Sequence, residues 1–278
     1  MTPQGFPQRN AMTSRGFPQR VVCLTEETVE TMYALNADAL IVGVSGFAVR
    51  PPRVRLEKPR VSTYLDARFD DIVALRPDVV FTWSDLQADI SAELIRLGIE
   101  VVCFNQRSIE GILAMIIRLG AYIGHADAAM EYSSKLRCQV DDAIVRGNSR
   151  RKRPLVYFEE WYDPLITGIC WVSELIEVCG GTDVFAENRQ FPNAKERIVA
   201  DPFEPVRRNP DILVASWCGK MFKPERVRAR EGWSDMKAVA DNQLYEIPSP
   251  VILQPGPAAL TDGITALMRI FDEWELKV

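Results

Sequence analysis

The sequence predicts an α/β fold in which two lobes with parallel sheets are joined by one long α-helix. From residue 21 onward, short apolar runs alternate with helix-like stretches, which is the pattern of parallel α/β sheets. One helical pattern extends without interruption over 126–146. The two halves also share a segment, DDIVALRPDVVFTW at 70–83 and FEPVRRNPDILVASW at 203–217. In each copy a short helix precedes a Pro-Asp pair, and the following strand ends on a tryptophan.

The first half contains five predicted strands. Each is a short and mainly apolar run, and they lie at 21–24, 39–44, 60–64, 78–83 and 101–104. Helices are predicted between them at 26–35, 69–75 and 91–97. Thr25 is the candidate N-cap of the first helix, because the acidic residues after it favour a helix N-terminus.

Two consecutive helices, at 108–123 and 126–146, separate the halves. The second is about 30 Å long at 1.5 Å per residue, and Gly147-Asn148 is a good stop signal for it. The basic run RRKR at 150–153 indicates a solvated turn into the second half. The predicted organisation is therefore a disordered leader at 1–20, a first lobe at 21–124, a bridging helix at 125–149 and a second lobe at 150–278.

The second half repeats the alternation of strands and helices. Strands are predicted at 154–160, 211–217 and 243–247, where apolar residues cluster in short runs. Helices are predicted at 172–178, 203–208 and 258–275, and Gly180-Gly181 ends the first of them.

Composition excludes several classes of protein. The net charge of −5 argues against a nucleic-acid partner, which would need a basic face. No apolar run is long enough for membrane insertion. With one histidine in the chain, His125, imidazole-rich metal sites and Ser-His-Asp catalysis are disfavoured. The sequence thus predicts no metal site supplied by the protein and no catalytic residues, and a monomer is expected.

The six cysteines form no CxxC pair, and unpaired thiols suit a reducing compartment. The first twenty residues contain GFPQR twice, at 5–9 and 16–20, and no apolar segment of the kind that signal peptides carry. The chain as it stands is therefore expected in the cytoplasm, with a periplasmic location as the alternative if an export signal lies upstream.

Aromatic residues are concentrated where predicted strands end. Because ligands of open parallel sheets bind at the carboxyl ends of the strands, the residues there are the candidate site. The aromatic ones are Tyr64, Trp83, Trp161, Tyr162 and Trp217. Their non-aromatic neighbours in the candidate site are Ser84, Glu160, Cys218 and Gly219. One or two of these rings could instead cap the core.

Such a rim suits a large, flat and partly apolar ligand. A nucleotide is disfavoured, because GVSG at 43–46 lacks the GxGxxG pattern and no GxxxxGK[ST] run occurs. Adjacent Glu159 and Glu160 would point to opposite faces of a strand, so they do not form a catalytic carboxylate pair.

From residue 21 to the C-terminus, the chain resembles the substrate-binding proteins of class III ABC importers, in their cobalamin-binding branch. The similar segments are IVGVSGFAVRPP (41–52), RFDDIVALRPDVVFTW (68–83), FEEWYDPLITGICWVSELIEVCGG (158–181), WCG (217–219) and ILQPGPAALTDG (252–263). The resemblance implies two Rossmann-like lobes bridged by a helix, and a cobalamin or related corrinoid held in the cleft between them. The corrinoid brings its own cobalt, so the protein supplies no cofactor.

By the same resemblance, Tyr64 and Trp83 fall where the family places rings against the corrin, and Trp161, Trp217 and Gly219 line the other wall. Phe222 and Gln254 are further candidates. Cys218 is expected to pack at a strand end, with cobalt ligation as the alternative. An ABC permease is the implied partner, with Asp70, Asp71 and Glu204 as the docking residues, although the position strictly aligned with Asp70 is Phe203.

Two other functions stay open. A siderophore or haem receptor of the same fold would need convergent arginines or an axial ligand for iron. A cytoplasmic corrinoid-processing enzyme or accessory would use Cys218 or Glu160, with Lys220 as the charge that activates the thiol.

Overall fold

In the computed structural model, which describes residues 16–63 and 65–278, the chain divides into two units. The first unit comprises the described residues up to Gln106 together with Glu110–Lys135. The second unit comprises Arg107–Ile109 and Leu136–Val278. Tyr64 and the first GFPQR copy lie outside the described residues.

The first unit contains one five-stranded sheet. Its strands are β1 (Val21–Cys23), β2 (Ile41–Ser45), β3 (Arg60–Ser62), β4 (Val79–Trp83) and β5 (Val101–Phe104). They lie in the order β3-β2-β1-β4-β5, and every neighbouring pair is parallel. β1 and β4 are fully buried, which explains their mainly apolar sequences. The predicted parallel sheet is confirmed.

Five helices accompany this sheet in sequence, namely α1 (Glu26–Ala34), α2 (Val54–Glu57), α3 (Phe69–Ala74), α4 (Ala88–Arg96) and α5 (Ile109–Tyr122). α2 was not predicted, because its single turn is too short to show a helical period. Thr25 precedes α1 as expected, but its side chain does not cap the helix. Its hydroxyl lies 3.1 Å from that of Thr28 instead.

The long helix α6 covers Ala126–Asn148, 23 residues. The division between the two units falls inside it, between Lys135 and Leu136. The bounds of the lobes and of the bridging helix at 125–149 stay predictions. In the first unit α5 approaches α6 closely at Gly120. A Cβ there would lie 2.1 Å from the Cβ of Ala129, so only glycine fits.

The second unit contains a sheet of five strands, β6 (Leu155–Tyr162), β7 (Leu165–Thr167), β8 (Thr182–Asp183), β9 (Ile212–Ala215) and β10 (Leu244–Glu246). β10, β9, β6 and β7 lie in that order, and β8 also pairs with β6. All pairs are parallel except β6 with β7, a short antiparallel strand that the sequence did not predict. Asp163 and Pro164 form a two-residue connection, and such a connection can join only antiparallel strands.

Six helices complete the second unit, α7 (Cys170–Val178), α8 (Glu204–Arg208), α9 (Pro224–Arg228), α10 (Lys237–Ala240), α11 (Ser249–Ile252) and α12 (Ile264–Glu275). A π-helical turn over Ala259–Gly263 leads into α12, so the predicted helix at 258–275 begins with it. α9, α10 and α11 are four or five residues long and were missed for the same reason as α2.

The last residues of the predicted leader contact the first unit. The backbone N–H groups of Gln19 and Arg20 donate to the carboxylate of Asp78 at 2.7 and 2.9 Å. The Arg20 guanidinium donates to the carbonyl of Leu75. Described structure therefore begins before residue 21. No helix within 16–63 and 65–278 is both long and apolar enough to cross a bilayer.

Candidate functional site

The carboxyl ends of β6 and β9 define the candidate site of the second unit. In this sheet the chain passes from β6 to β7 and β8 on one side of β6 and then reaches β9 on the other side, so the order of strands reverses between β6 and β9. Ligands of open α/β sheets bind at such a reversal. Glu159 of β6 lies opposite Ala215, the last residue of β9, and Trp217 follows two residues later.

Four rings form a continuous group here, and we call Trp161, Tyr162, Trp217 and Phe222 the aromatic face. Ring centroids are 5.0 Å apart for Trp161 and Tyr162, 4.5 Å for Tyr162 and Trp217, and 5.1 Å for Trp217 and Phe222. Trp217 and Phe222 are buried, whereas Trp161 and Tyr162 are half-buried. Two rings are thus presented at the surface of the unit, and the other two support them.

A buried ion pair fixes the base of the aromatic face. The indole N–H of Trp217 donates to Oε1 of Glu159 at 3.0 Å. Both oxygens of the same carboxylate accept from the guanidinium of Arg230, at 2.6 and 2.9 Å. Glu159 is fully buried, so this two-pronged pairing satisfies its charge. The orientation of Trp217 is therefore set by a hydrogen bond as well as by ring packing.

Two cations lie over the outer rings. The Lys220 ammonium donates to the hydroxyl of Tyr162 at 3.0 Å and lies 4.9 Å from the centroid of the Trp161 ring. The Arg226 guanidinium lies 5.1 Å from the centroid of Tyr162. Hydrogen bonds from Lys220 and from Arg226 lower the pKa of the Tyr162 phenol. Cations over ring faces at such distances are attracted by the ring quadrupole.

Glu160 is held by an arginine rather than presented freely. The guanidinium of Arg197 donates to both of its oxygens, at 2.6 and 3.3 Å, and also to the carbonyl of Thr167. The Arg197 side chain is 1% exposed and that of Glu160 is 19% exposed. Sequence reasoning did not anticipate Arg197 or Arg230, because both lie far from the strand ends along the chain.

The remaining predicted residues of this unit lie in two turns. Cys218 and Gly219 are exposed in the turn after β9, where Lys220 N–H donates to the carbonyl of Trp217 at 3.1 Å. Gly219 has a φ of +69°, a conformation that favours glycine. Gln254 is half-buried directly after α11. The structure thus joins Trp161, Tyr162, Trp217 and Phe222 as one face, with Cys218 and Gly219 beside it in sequence.

In the first unit the strand order reverses between β1 and β4. Trp83 ends β4 and is 4% exposed, and its indole N–H donates to the carbonyl of Gln106 at 3.4 Å. Trp83 is thus buried in this structure, and its contact with the ligand stays a prediction. Tyr64, predicted to act beside it, lies outside the described residues.

Ser84, which follows Trp83, has a φ of 59° and a ψ of −180°. This backbone region is almost exclusive to glycine and costs other residues of order 1–3 kcal/mol. The Ser84 hydroxyl accepts from the N–H of Leu86 at 3.2 Å and so caps the turn that follows. Strain is therefore stored at the carboxyl end of a central strand.

We expect Ser84→Gly to be more stable than Ser84→Ala by about 2 kcal/mol, because both lose the hydroxyl but only glycine relieves the strain. Urea unfolding of the two variants measures the difference. Equal stabilities, or a more stable alanine variant, would contradict the strain at this position.

A buried pair of carboxyls follows β1 at the same edge of the first sheet. Glu26 is 6% exposed and Glu27 is 1% exposed. Both oxygens of Glu26 and Oε1 of Glu27 have no hydrogen-bond partner among the described residues. Burial raises the pKa of Glu26 to about 7, and burial together with the Glu26 charge raises that of Glu27 to about 8. Sequence analysis treated these residues only as a helix N-terminus, although just Leu24 and Thr25 separate them from the central strand β1.

The predicted docking residues lie at the N-terminal turns of two short helices. Asp70 and Asp71 are exposed in the first turn of α3, and Asp71 is 3.1 Å from the Nε of Arg68. Glu204 begins α8, where the guanidinium groups of Arg207 and Arg208 lower its pKa by hydrogen bonding. Their role in docking stays a prediction.

Within the part of the chain that the structure describes, no three His, Cys, Asp or Glu side chains gather as a set of metal ligands. All six cysteines are free thiols. Burial raises the pKa of Cys23 and of Cys179 to about 12, so both are neutral at pH 7.

Comparison with known proteins gives consistent matches. Residues 21–251 match the family described as periplasmic binding protein. The vitamin B12-binding protein of Vibrio campbellii (strain ATCC BAA-1116) is 25% identical over 265 residues, which cover 91% of this chain and 90% of that protein. The crystal structure of the periplasmic vitamin B12 binding protein BtuF of Vibrio cholerae superposes with a TM-score of 0.74 at 20% identity, over 93% of this chain and 98% of that one.

Haem-binding proteins share the fold as well. The periplasmic heme-binding protein RhuT from Roseiflexus sp. RS-1, in apo form, superposes with a TM-score of 0.78 at 18% identity, over 91% of this chain and 98% of that one. Such likenesses show the fold and leave the ligand open. Two α/β units with parallel strand pairs and the match over 21–251 place this chain in the periplasmic binding protein family, where it resembles the vitamin B12-binding proteins.

Proposed function

We propose that this chain binds cobalamin or a related corrinoid, without catalysis, as the substrate-binding component of an ABC-type uptake or salvage system. The relatives named vitamin B12-binding protein support the choice of ligand. Haem-binding neighbours share the same fold, so the argument for a corrinoid depends on the chemistry of the site.

The observation that carries the proposal is the aromatic face of the second unit. A corrin is a broad macrocycle with apolar faces and a rim of amide side chains. Rings supply area for such a face, and indole N–H and phenol O–H groups suit the polar rim. Trp161 and Tyr162 are the presented members of the face, and Trp217 and Phe222 hold them in place. Trp83, Ser84, Tyr64, Gly219 and Gln254 are proposed as further contacts.

The proposal predicts that Trp161→Ala weakens the binding of cyanocobalamin by about 2 kcal/mol, roughly thirtyfold in Kd, as for a central aromatic anchor. The ring is half-buried, so its removal costs the second unit little stability. Titration calorimetry with cyanocobalamin measures the change in Kd.

Phe203→Ala is the matched control, because Phe203 is an exposed ring of the same unit outside the aromatic face. It should leave the Kd within twofold, the range expected for a near-neutral contact. Equal losses of cyanocobalamin affinity in Trp161→Ala and Phe203→Ala would show that the aromatic face is not part of the binding site.

Haem is the second candidate ligand, and one observation favours it. A tyrosine oxygen can ligate haem iron, and the hydrogen bond from Lys220 lowers the pKa of the half-buried Tyr162 phenol. Addition of haemin tests this candidate. If haemin shows a Soret shift with the wild-type chain but not with Tyr162→Phe, and the wild-type chain does not bind cyanocobalamin, haem becomes the preferred ligand.

The enzyme alternative receives less support. Glu160 is ion-paired with Arg197, and Lys220 donates to Tyr162, so the groups that would activate or assist Cys218 are engaged elsewhere. The named relatives are binding proteins. An ABC permease is the proposed partner, and the description of the family favours the periplasmic alternative over the cytoplasmic location predicted from the sequence.

A further inference from the structure

Two positive charges on the aromatic face have no balancing carboxylate. No carboxylate of a described residue lies within 4.0 Å of the Lys220 ammonium or the Arg226 guanidinium. Three buried or half-buried arginines of the same unit are paired, Arg230 with Glu159, Arg197 with Glu160 and Arg208 with Glu204. Lys220 and Arg226 instead contact the rings of the aromatic face, where an anion of the proposed ligand would balance their charge.

Lys220 and Arg226 converge on one phenol. Both approach Tyr162, one through a hydrogen bond of 3.0 Å to the hydroxyl and the other over the ring at 5.1 Å. Lys220 also lies over Trp161. An anion that lies against Tyr162 would meet an ammonium and a planar guanidinium together. A guanidinium and an ammonium side by side are well suited to phosphate oxygens.

The rings beside the two cations indicate which class of anion binds there. Trp161 and Tyr162 lie side by side at 5.0 Å and are half-buried, so one ring can stack a flat aromatic group next to the bound anion while the other contacts the corrin. Cations combined with stacking rings are the usual means by which proteins bind nucleotides without reading their sequence. A phosphodiester attached to an aromatic base fits both features.

We propose that Lys220 and Arg226 form a subsite for the phosphodiester of a nucleotide-bearing corrinoid. This inference rests on the proposed function and deepens it, because cobalamin carries such a phosphodiester and base whereas cobinamide has the same corrin without them. The subsite makes the complete cobalamin the preferred ligand.

The test compares cyanocobalamin with dicyanocobinamide by titration calorimetry. We expect Lys220→Gln combined with Arg226→Gln to weaken cyanocobalamin binding by about tenfold or more, while the Kd of dicyanocobinamide changes by less than about twofold. Added NaCl should weaken cyanocobalamin binding by the wild-type chain and have little effect in the double variant. Arg226→Lys keeps the charge and should retain most of the preference.

Lys223→Gln combined with Arg228→Gln is the charge-matched control. Both residues are exposed cations of the same segment, and neither lies over a ring of the aromatic face among the described residues. The control should bind both corrinoids as the wild type does. Equal losses for the two corrinoids in the Lys220/Arg226 variant, or no loss, would overturn the subsite and leave the proposed function standing.

Two other results separate this inference from the proposed function. If the wild-type chain binds neither corrinoid, the proposed function fails and the subsite fails with it. If the Lys220/Arg226 variant loses affinity for haemin, whose propionates are also anions, and keeps its affinity for cyanocobalamin, the phosphodiester assignment is wrong.

Discussion

Replacing Trp217 by alanine will lower the free energy of unfolding by about 4 kcal/mol, the range for deleting a buried tryptophan. The side chain is 2% exposed and contacts the rings of Tyr162 and Phe222. Its loss also removes the N–H donor of Glu159, a fully buried carboxylate. Urea unfolding followed by far-ultraviolet circular dichroism measures the change.

Trp217→Phe separates the two contributions. It keeps an aromatic ring against Tyr162 and loses the hydrogen bond to Glu159, so about half of the alanine effect should remain. The alanine variant should also bind cyanocobalamin more weakly, because Tyr162 loses its supporting ring. An alanine variant within 1 kcal/mol of the wild type would show that Trp217 does not hold the face together.

The second large effect is a loss of stability as the pH rises. The pKa values of Glu26 and Glu27 are raised from 4.5 to about 7 and about 8 in the folded chain. Because the folded state then binds more protons than the unfolded state, the stabilising contribution is fully present below pH 4.5. It is lost as the pH rises through 7 and 8. Between pH 5.5 and 8.5 the free energy of unfolding should fall by on the order of 5 kcal/mol.

The variant Glu26→Gln combined with Glu27→Gln tests this assignment. It keeps the shape of both side chains and cannot ionise, so its stability should vary much less over the same pH range. Burial also raises the pKa of Asp183 in the second unit, and the variant retains that contribution. The difference between the pH profiles of the wild type and the variant therefore gives the contribution of Glu26 and Glu27 to the free energy of unfolding. Parallel profiles would mean that Glu26 and Glu27 are not buried together in solution.

The sheets could be predicted from the sequence because buried parallel strands are continuous apolar runs. β4 is such a run, and it ends at Trp83 as predicted. β7 and β8 are three and two residues long, and their existence depends on pairing with β6, which no local pattern shows.

The aromatic face could be predicted in part by the same reasoning. Trp161 and Tyr162 end β6 and Trp217 lies just after β9, so the rule that ligands bind at strand ends identifies them. Phe222 came from resemblance to a known family. Arg197 and Arg230 could not be predicted, because their partners Glu160 and Glu159 are 37 and 71 residues away along the chain. Ion pairs over such distances are set by the tertiary fold.

Glu26 and Glu27 were available to the same strand-end rule and were missed. Two acidic residues after Thr25 also fit the usual start of a helix, and that local explanation was sufficient without a ligand. Only the burial of both side chains distinguishes a functional pair at the strand end from an ordinary helix start. That burial follows from the central position of β1 in the order β3-β2-β1-β4-β5.

Titration of the purified wild-type chain with cyanocobalamin, with haemin run in parallel, tests the central claim most directly. A corrinoid-binding protein should show saturable one-to-one binding of cyanocobalamin, with quenching of the fluorescence of Trp161 and its neighbours. Absence of any heat or quenching with cyanocobalamin, together with a saturable Soret shift with haemin, would contradict the corrinoid assignment.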